Sequence, residues 1–373
     1  MLRPRETEHG CHRAVALVSS VFRLCKDLHR LQTMLPPRTQ VTVALLGFGN
    51  VGRAFVRYAE SGAAASKSAI LIRAVADSSG GLFLDNDSSV ERLIAHKESG
   101  RSLQQFAPGE SIGDPQEFIR ALQSAGVSVL VESLPTNIAD GLPALELITA
   151  ALEQGTNVVT VDKGPLVHGF EALKDAARKG GASLGYSGTT GVSIPDELAS
   201  DRVLEIRGVL NGTTNYILTE MQQHQRSFDE ALDSAQADGI AEPDPSLDVH
   251  GWDTASKILI LAKSLMDADA RLAEVSRIGV GPETESLIKI ARESGRVVRL
   301  VGRARIWQGR VRVSVAPKLV DSDSPFYSVS GTSKAAVFRT ERQGAVFAPA
   351  RSGRDAIAQT ILDDIARIAS VLC

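Results

Sequence analysis

The stretch GIAEPDPSLDVHGWDTASK, residues 239–257, holds four acidic side chains, two prolines and a lysine, and runs straight into the apolar ILILA. Asp253 and Lys257 lie four residues apart, the spacing that puts two side chains on one face of a helix. As an exposed pair they would contribute only about 0.3–0.5 kcal/mol. Glu242 and Asp248, on the proline-stiffened loop that leads to the same helix end, argue for more. Such a cluster can hold an ammonium group while a lysine, its pKa set by burial and neighbours, passes a proton. A second lysine, Lys163 in VDKGPL, follows an apolar strand-like run. It reads either as a surface lysine beside Asp162 or as a functional group at a strand end. Hydroxyls gather as well: Thr213 and Thr214, with Asn215, open a helix in VLEIRGVLNGTTNYIL (203–218), and GASLGYSGTTGVSIPDEL (181–198) makes a comparable small-residue turn. These side chains serve either as caps or as part of a substrate site.

The elements that would position this chemistry are legible upstream. VTVALLGFGNVGRAFVRYAE (41–60) runs from a strand through Gly47, Phe48, Gly49, Asn50, Val51 and Gly52 into a helix. GxGxxG in that setting lets the backbone approach a pyrophosphate, whose charge meets the amides of the helix N-terminus. Asp77, 25 residues past Gly52 at the end of AILIRAVAD, is placed to read a ribose, or simply ends a strand in a turn. The apolar runs VSVLVES (127–133) and TNVVTVD (156–162) flank the helical LPALELITAALEQG (142–155). Strand–helix–strand alternation predicts a parallel, doubly wound sheet that binds its ligand beyond the strands' carboxyl ends. Lys163 and the loop ESLPTNIADG (132–141), with Ser133 and Thr136, fall at those ends. From Gly251 onward, Trp252, Ala255, Leu259, Ala262 and Met266 recur at three and four, which predicts a helix with one apolar stripe. VRVSVAPKLV (311–320) and YSVSGTSKAAVFRT (327–340) read as strands.

Composition excludes several classes. With 373 residues, a net charge of −3, 43% apolar residues and 5% aromatics, an ordinary soluble globular protein of two or three domains is expected. Near-neutral charge gives no footprint for nucleic acid. No apolar run approaches the roughly 18 residues that span a bilayer. Cys11, Cys25 and Cys373 lie near the chain ends without CxxC spacing, so neither a disulfide framework nor a zinc site is expected, and a cytoplasmic location follows. Residues 1–39 carry an arginine-rich amphipathic pattern interrupted by Glu6, Glu8 and Asp27, and are read as a non-catalytic extension before the fold begins at about Gln40.

Taken together, GFGNVGRAF, VVTVDKGPL, LNGTTNYIL and AEPDPSLDVHGWDTASK resemble the homoserine dehydrogenase family, over a span from about 41 to 370. The resemblance implies an α/β protein with a Rossmann-like nucleotide-binding domain over 40–165, completed by about 341–373. An α+β substrate and dimerisation domain covers 166–340, with no ACT or kinase domain. It implies NAD- or NADP-dependent interconversion of L-homoserine and L-aspartate 4-semialdehyde, on the route to threonine and methionine, by a homodimer or dimer-based oligomer. By the same resemblance Lys257 is expected to be the acid/base lysine and Lys163 the active-site lysine, with Glu242, Asp248, Asp253, Thr213 and Thr214 expected to face the substrate. Three departures stand out. Asp162 replaces the family's asparagine. Ser187 stands where a glutamate commonly serves a sodium or potassium ion, leaving the carbonyls of Thr190, Val192 and Ile194 for a cation. The glycine-rich turn before the last helix is reduced to FAPARSGRDA. Another amino-acid or aldehyde dehydrogenase, or a catalytically impaired cofactor-binding regulator, are the alternatives. Asp77 favours NAD, while Lys97 and Arg101 in AHKESGRSL keep NADP open.

Overall fold

The computed structural model describes residues 40–61, 69–85, 88–107, 111–195, 198, 200–350 and 353–372; the extension read from residues 1–39 lies outside them. Two six-stranded sheets organise the chain. The first has the order β3-β2-β1-β4-β5-β6, from β1 (Gln40–Leu46), β2 (Ala69–Asp77), β3 (Gly80–Phe83), β4 (Val129–Glu132), β5 (Asn157–Thr160) and β6 (Leu184–Gly185). All its pairs are parallel except β2 with β3. β4 and β5 are buried at every position, as strands covered on both faces must be. On one face, α1 (Asn50–Glu60) and α2 (Ser88–Glu98) join the last helix, α13 (Arg354–Leu372), over a core containing Phe55, Leu93, Ile361 and Ile365. On the other lie α4 (Pro115–Ala121), α5 (Ala144–Glu153) and α6 (Lys163–Gly180), whose core runs on into the second half.

The second sheet has the order β12-β11-β7-β9-β10-β8: β7 (Val203–Val209), β8 (Ser276–Arg277), β9 (Val297–Trp307), β10 (Arg310–Val320), β11 (Lys334–Thr340) and β12 (Ala345–Ala350). Only β8 and β10 pair in parallel. Within 341–373, β12 therefore belongs to this sheet, and it is α13 that returns to the first. α8 (Gly212–Gln223), α11 (Trp252–Met266) and α12 (Thr284–Glu293) cover the second sheet.

Two expectations need correction. Only 334–340 of the stretch 327–340 forms a strand; the part before it is turned, because Arg299 donates to the carbonyls of Phe326 and Tyr327 while Asn215 engages those of Val329, Gly331 and Ser333. The single apolar stripe of α11 understates its burial. Thr254, Ser256, Ile258, Ile260 and Leu261 are buried together with Ala255, Leu259 and Ala262, because the helix is sandwiched between the second sheet and α6.

Candidate active site

Beyond the carboxyl ends of β1 and β4, the glycine turn is built to exclude side chains. A Cβ on Gly47, whose φ is +103°, would stand 2.5 Å from the Ser133 carbonyl oxygen, and one on Gly52 would stand 2.4 Å from that of Gly47. A Cβ on Gly49, the N-cap of α1, meets nothing within 4 Å. That open space at a helix N-terminus is a cradle fitted to a dinucleotide pyrophosphate, so the residues present suit a nicotinamide cofactor. Phe48 is buried, Asn50 accepts from Arg53 (3.0 Å), and Val51 packs against the core. Ser133 donates to the Gly47 carbonyl (2.8 Å), so it holds the turn itself in place.

Asp77, at the end of β2, is engaged on both oxygens: Lys97 Nζ lies 2.6 Å from one, and the amide and hydroxyl of Ser79 lie 2.8 and 2.6 Å from the other. Burial would raise its pKa, but Lys97 and Ser79 outweigh that and hold it low. Lys97 thus folds back on the acid, whereas Arg101 donates to Ser99 (2.8 Å).

The second cluster draws on separate parts of the chain. Lys163, the first residue of α6, lies 3.4 Å from Asp253 Oδ1, and Lys257 Nζ lies 2.6 Å from Asp253 Oδ2. Asp253 and Lys257 are each only 12% exposed, so the exposed-pair reading does not hold. Burial alone would raise the Asp253 pKa, but the two lysines, Lys257 foremost, keep it well below the usual carboxylate range. Lys257 also donates to the Leu210 carbonyl (3.0 Å), which fixes its ammonium on two acceptors. Asn211, the N-cap of α8, joins the acids: its Nδ2 donates to Asp248 Oδ1 (2.6 Å) and Asp253 Oδ2 (2.9 Å), while its Oδ1 accepts from the Thr214 amide. Burial, and then the Asp253 charge, push Asp248 up. Thr213 lies beside Asp248 and donates to the Ile240 carbonyl; Thr214 is buried and donates to Asn211. Glu242 is exposed, and its carboxylate makes no ion pair or hydrogen bond among the described residues.

Three neighbours escaped the sequence reading. Asn211 precedes the hydroxyl cluster and could have been found as a helix cap. Glu132, the last residue of β4, is fully buried, accepts from Thr160 (2.5 Å) and the Leu134 amide (2.7 Å), and is pushed up to about 8 by burial and by Asp162. Lys334, at the start of β11, is brought down to about 8 by burial and by Lys257. Asp162 caps α6 through the Gly164 amide (2.9 Å), a task an asparagine would also perform; burial raises its pKa against the opposing effects of Gly164, Thr136 and Lys163.

The turn around Thr190, Val192 and Ile194 is organised differently. Ser187 donates from its amide (2.9 Å) and hydroxyl (2.8 Å) to Asp364 of α13, and Arg367 pairs with that carboxylate and donates to Ser187. The acid at this turn is thus paired with a guanidinium. Among the described residues no helix is long and apolar enough to cross a membrane.

Known proteins are similar to this chain in sequence and fold. The sequence model of the homoserine dehydrogenase family matches residues 193–366. A homoserine dehydrogenase from Methanocaldococcus jannaschii is 31% identical over 87% of this chain and 98% of its own length. An NAD(+)-dependent homoserine dehydrogenase from Pseudomonas canavaninivorans is 32% identical over 88% of this chain and 96% of its own. A solved structure from Archaeoglobus fulgidus, assigned to homoserine dehydrogenase, covers 88% of this chain and 99% of its own at 30% identity and a TM-score of 0.74. The chain therefore belongs to the homoserine dehydrogenase family, a family of oxidoreductases.

Proposed function

We propose that this protein interconverts L-homoserine and L-aspartate 4-semialdehyde with NAD or NADP, in the supply of threonine and methionine. The observation that carries the reading is the Asp253 carboxylate, held between Lys163 at the end of the first sheet and Lys257 from the second half. A nicotinamide cofactor held by the Gly47 to Gly52 turn would supply the hydride chemistry at the hydroxyl-bearing carbon. Lys257 donates a proton to the aldehyde oxygen in reduction and takes the hydroxyl proton in oxidation. Lys163 supports the same oxygen from the other side. Asp248 and Asp253, joined by Asn211, present negative charge to the substrate ammonium, with Thr213 beside them and Glu242 on the loop that leads in.

Gly47 to Gly52, with Ser133 and Thr136, take the pyrophosphate end of the cofactor and Asp77 its ribose. NAD is at least as good a cofactor as NADP in this reading, which accords with the name of the Pseudomonas relative. A cytoplasmic homodimer or dimer-based oligomer, joined through the second sheet, completes it; Trp307 and Phe347 are exposed on β9 and β12. Reduced nicotinamide absorbance is followed with L-homoserine and each oxidised cofactor. Turnover with homoserine is expected; none with either cofactor would overturn the proposal.

A further inference from the structure

Lys334 is a charged group at this cluster that the proposed reaction leaves unused. It opens β11, and the register that sets Ala335 opposite Val209 places Lys334 beside Leu210, whose carbonyl accepts from Lys257. Its approach is clamped. Asn215 Nδ2 donates to the carbonyls of Val329 (3.2 Å), Gly331 (3.0 Å) and Ser333 (3.0 Å), and the Gly331 amide donates to Thr219. The loop also lies close against α8, since a Cβ on Gly212 would stand 3.1 Å from the Thr332 carbonyl oxygen. LNGTTN therefore does two things: Asn211 gathers the acids, and Asn215 holds the loop that delivers Lys334.

Among the described residues the Lys334 ammonium makes no ion pair or hydrogen bond, although it is half-buried and feels the charges of Lys257, Asp253 and Lys163. Asp253, the carboxylate whose charge Lys334 feels, is already shared by the other two lysines. A cation partly withdrawn from water without a counter-ion is unfavourable, and an anion brought by a ligand relieves it. The substrate proposed above carries one anionic group, its α-carboxylate, and no side chain described so far receives it.

We propose that Lys334 binds the α-carboxylate of the amino-acid substrate, so that the pocket reads the ammonium with acids on one side and the carboxylate with this lysine on the other. The inference rests on the reading of the pocket as a homoserine site. It is tested with wild type, Lys334→Met and Lys334→Arg, measuring kcat and KM for L-homoserine and the affinity for the oxidised cofactor. Loss of one charge-assisted contact should raise KM roughly 10–100-fold in Lys334→Met, with a smaller change in kcat and unchanged cofactor affinity, and Lys334→Arg should restore most of the loss. An unchanged KM in a Lys334→Met protein that binds cofactor normally would overturn the role of Lys334 alone. So would a fall in kcat with KM unmoved. A wild-type protein that does not oxidise homoserine would instead remove the underlying reading of the site.

Discussion

The two halves of the site are built on opposite principles. The glycine turn is backbone: it works by leaving out side chains, and its parts are neighbours in sequence between Gly47 and Gly52, braced by Ser133. The acid–lysine cluster is all side chain and draws on four places, around residues 163, 211, 248–257 and 334. A cradle of amides gives a cofactor a place but does little to move protons, whereas paired charges with limited exposure can move protons but must be held by distant elements. The division predicts that substitutions in the first region change cofactor binding, and those in the second change substrate binding or turnover and leave the cofactor bound.

The largest expected effect tests that division directly. Lys257→Met should lower kcat by roughly 10²–10⁴-fold while leaving the cofactor dissociation constant near wild type. A loss of cofactor affinity in the same variant would show that the two regions are not separable. Next come two glycines. Gly52→Ala puts a Cβ against the Gly47 carbonyl oxygen and should lower both thermal stability and cofactor affinity. Gly49→Ala meets open space and should fold with wild-type stability, yet weaken cofactor binding on the order of tenfold, because its methyl occupies the approach of the pyrophosphate. Equal stability losses in both would refute the cradle.

A smaller effect is expected at the ribose end. Asp77→Ser removes negative charge and also frees Lys97, which now pairs with it. The ratio of kcat/KM for NADP to that for NAD should rise by about tenfold. A wild type strongly selective for NADP, with the ratio unmoved, would mean that Asp77 does not read the ribose.

Glu132, on the boundary between the regions, is tested through stability rather than through binding or turnover. Its carboxyl has an ordinary value of 4.5 when exposed and about 8 when buried in the fold. The folded protein therefore binds a proton there that the unfolded chain has released, so stability should fall as pH rises from about 4.5 to 8. Glu132→Gln, neutral throughout, should flatten that part of the stability profile in denaturant titrations. An unchanged slope would show that Glu132 is ionised in the fold.

What was legible in the sequence follows the same divide. The glycine turn, its flanking strand and helix, and the Asp253/Lys257 pair were readable because each lies within one or two helical turns of chain. Glu132 looked like the polar end of a strand, and only the packing of Thr160 and Asp162 around it gives it meaning. Lys334 looked like one residue inside a longer strand. Its place depends on the pairing of β11 with β7, more than a hundred residues away, which no local pattern carries. The stripe on α11 was read correctly in direction but too narrowly, since periodicity describes one covered face and this helix has two. The replacement of a glutamate by Ser187 was visible, whereas the Asp364 and Arg367 that meet it from α13 were not.

The return of α13 has a consequence for synthesis. Ala358, Ile361, Leu362, Ile365 and Ile368 complete the core on one face of the first sheet, although β1 to β6 are made long before them. While the chain emerges from the ribosome in order, that sheet carries an open apolar face through the whole translation of the second half. The nucleotide-binding half is the first to be started and among the last to be closed, so its maturation waits on the 19 residues of α13.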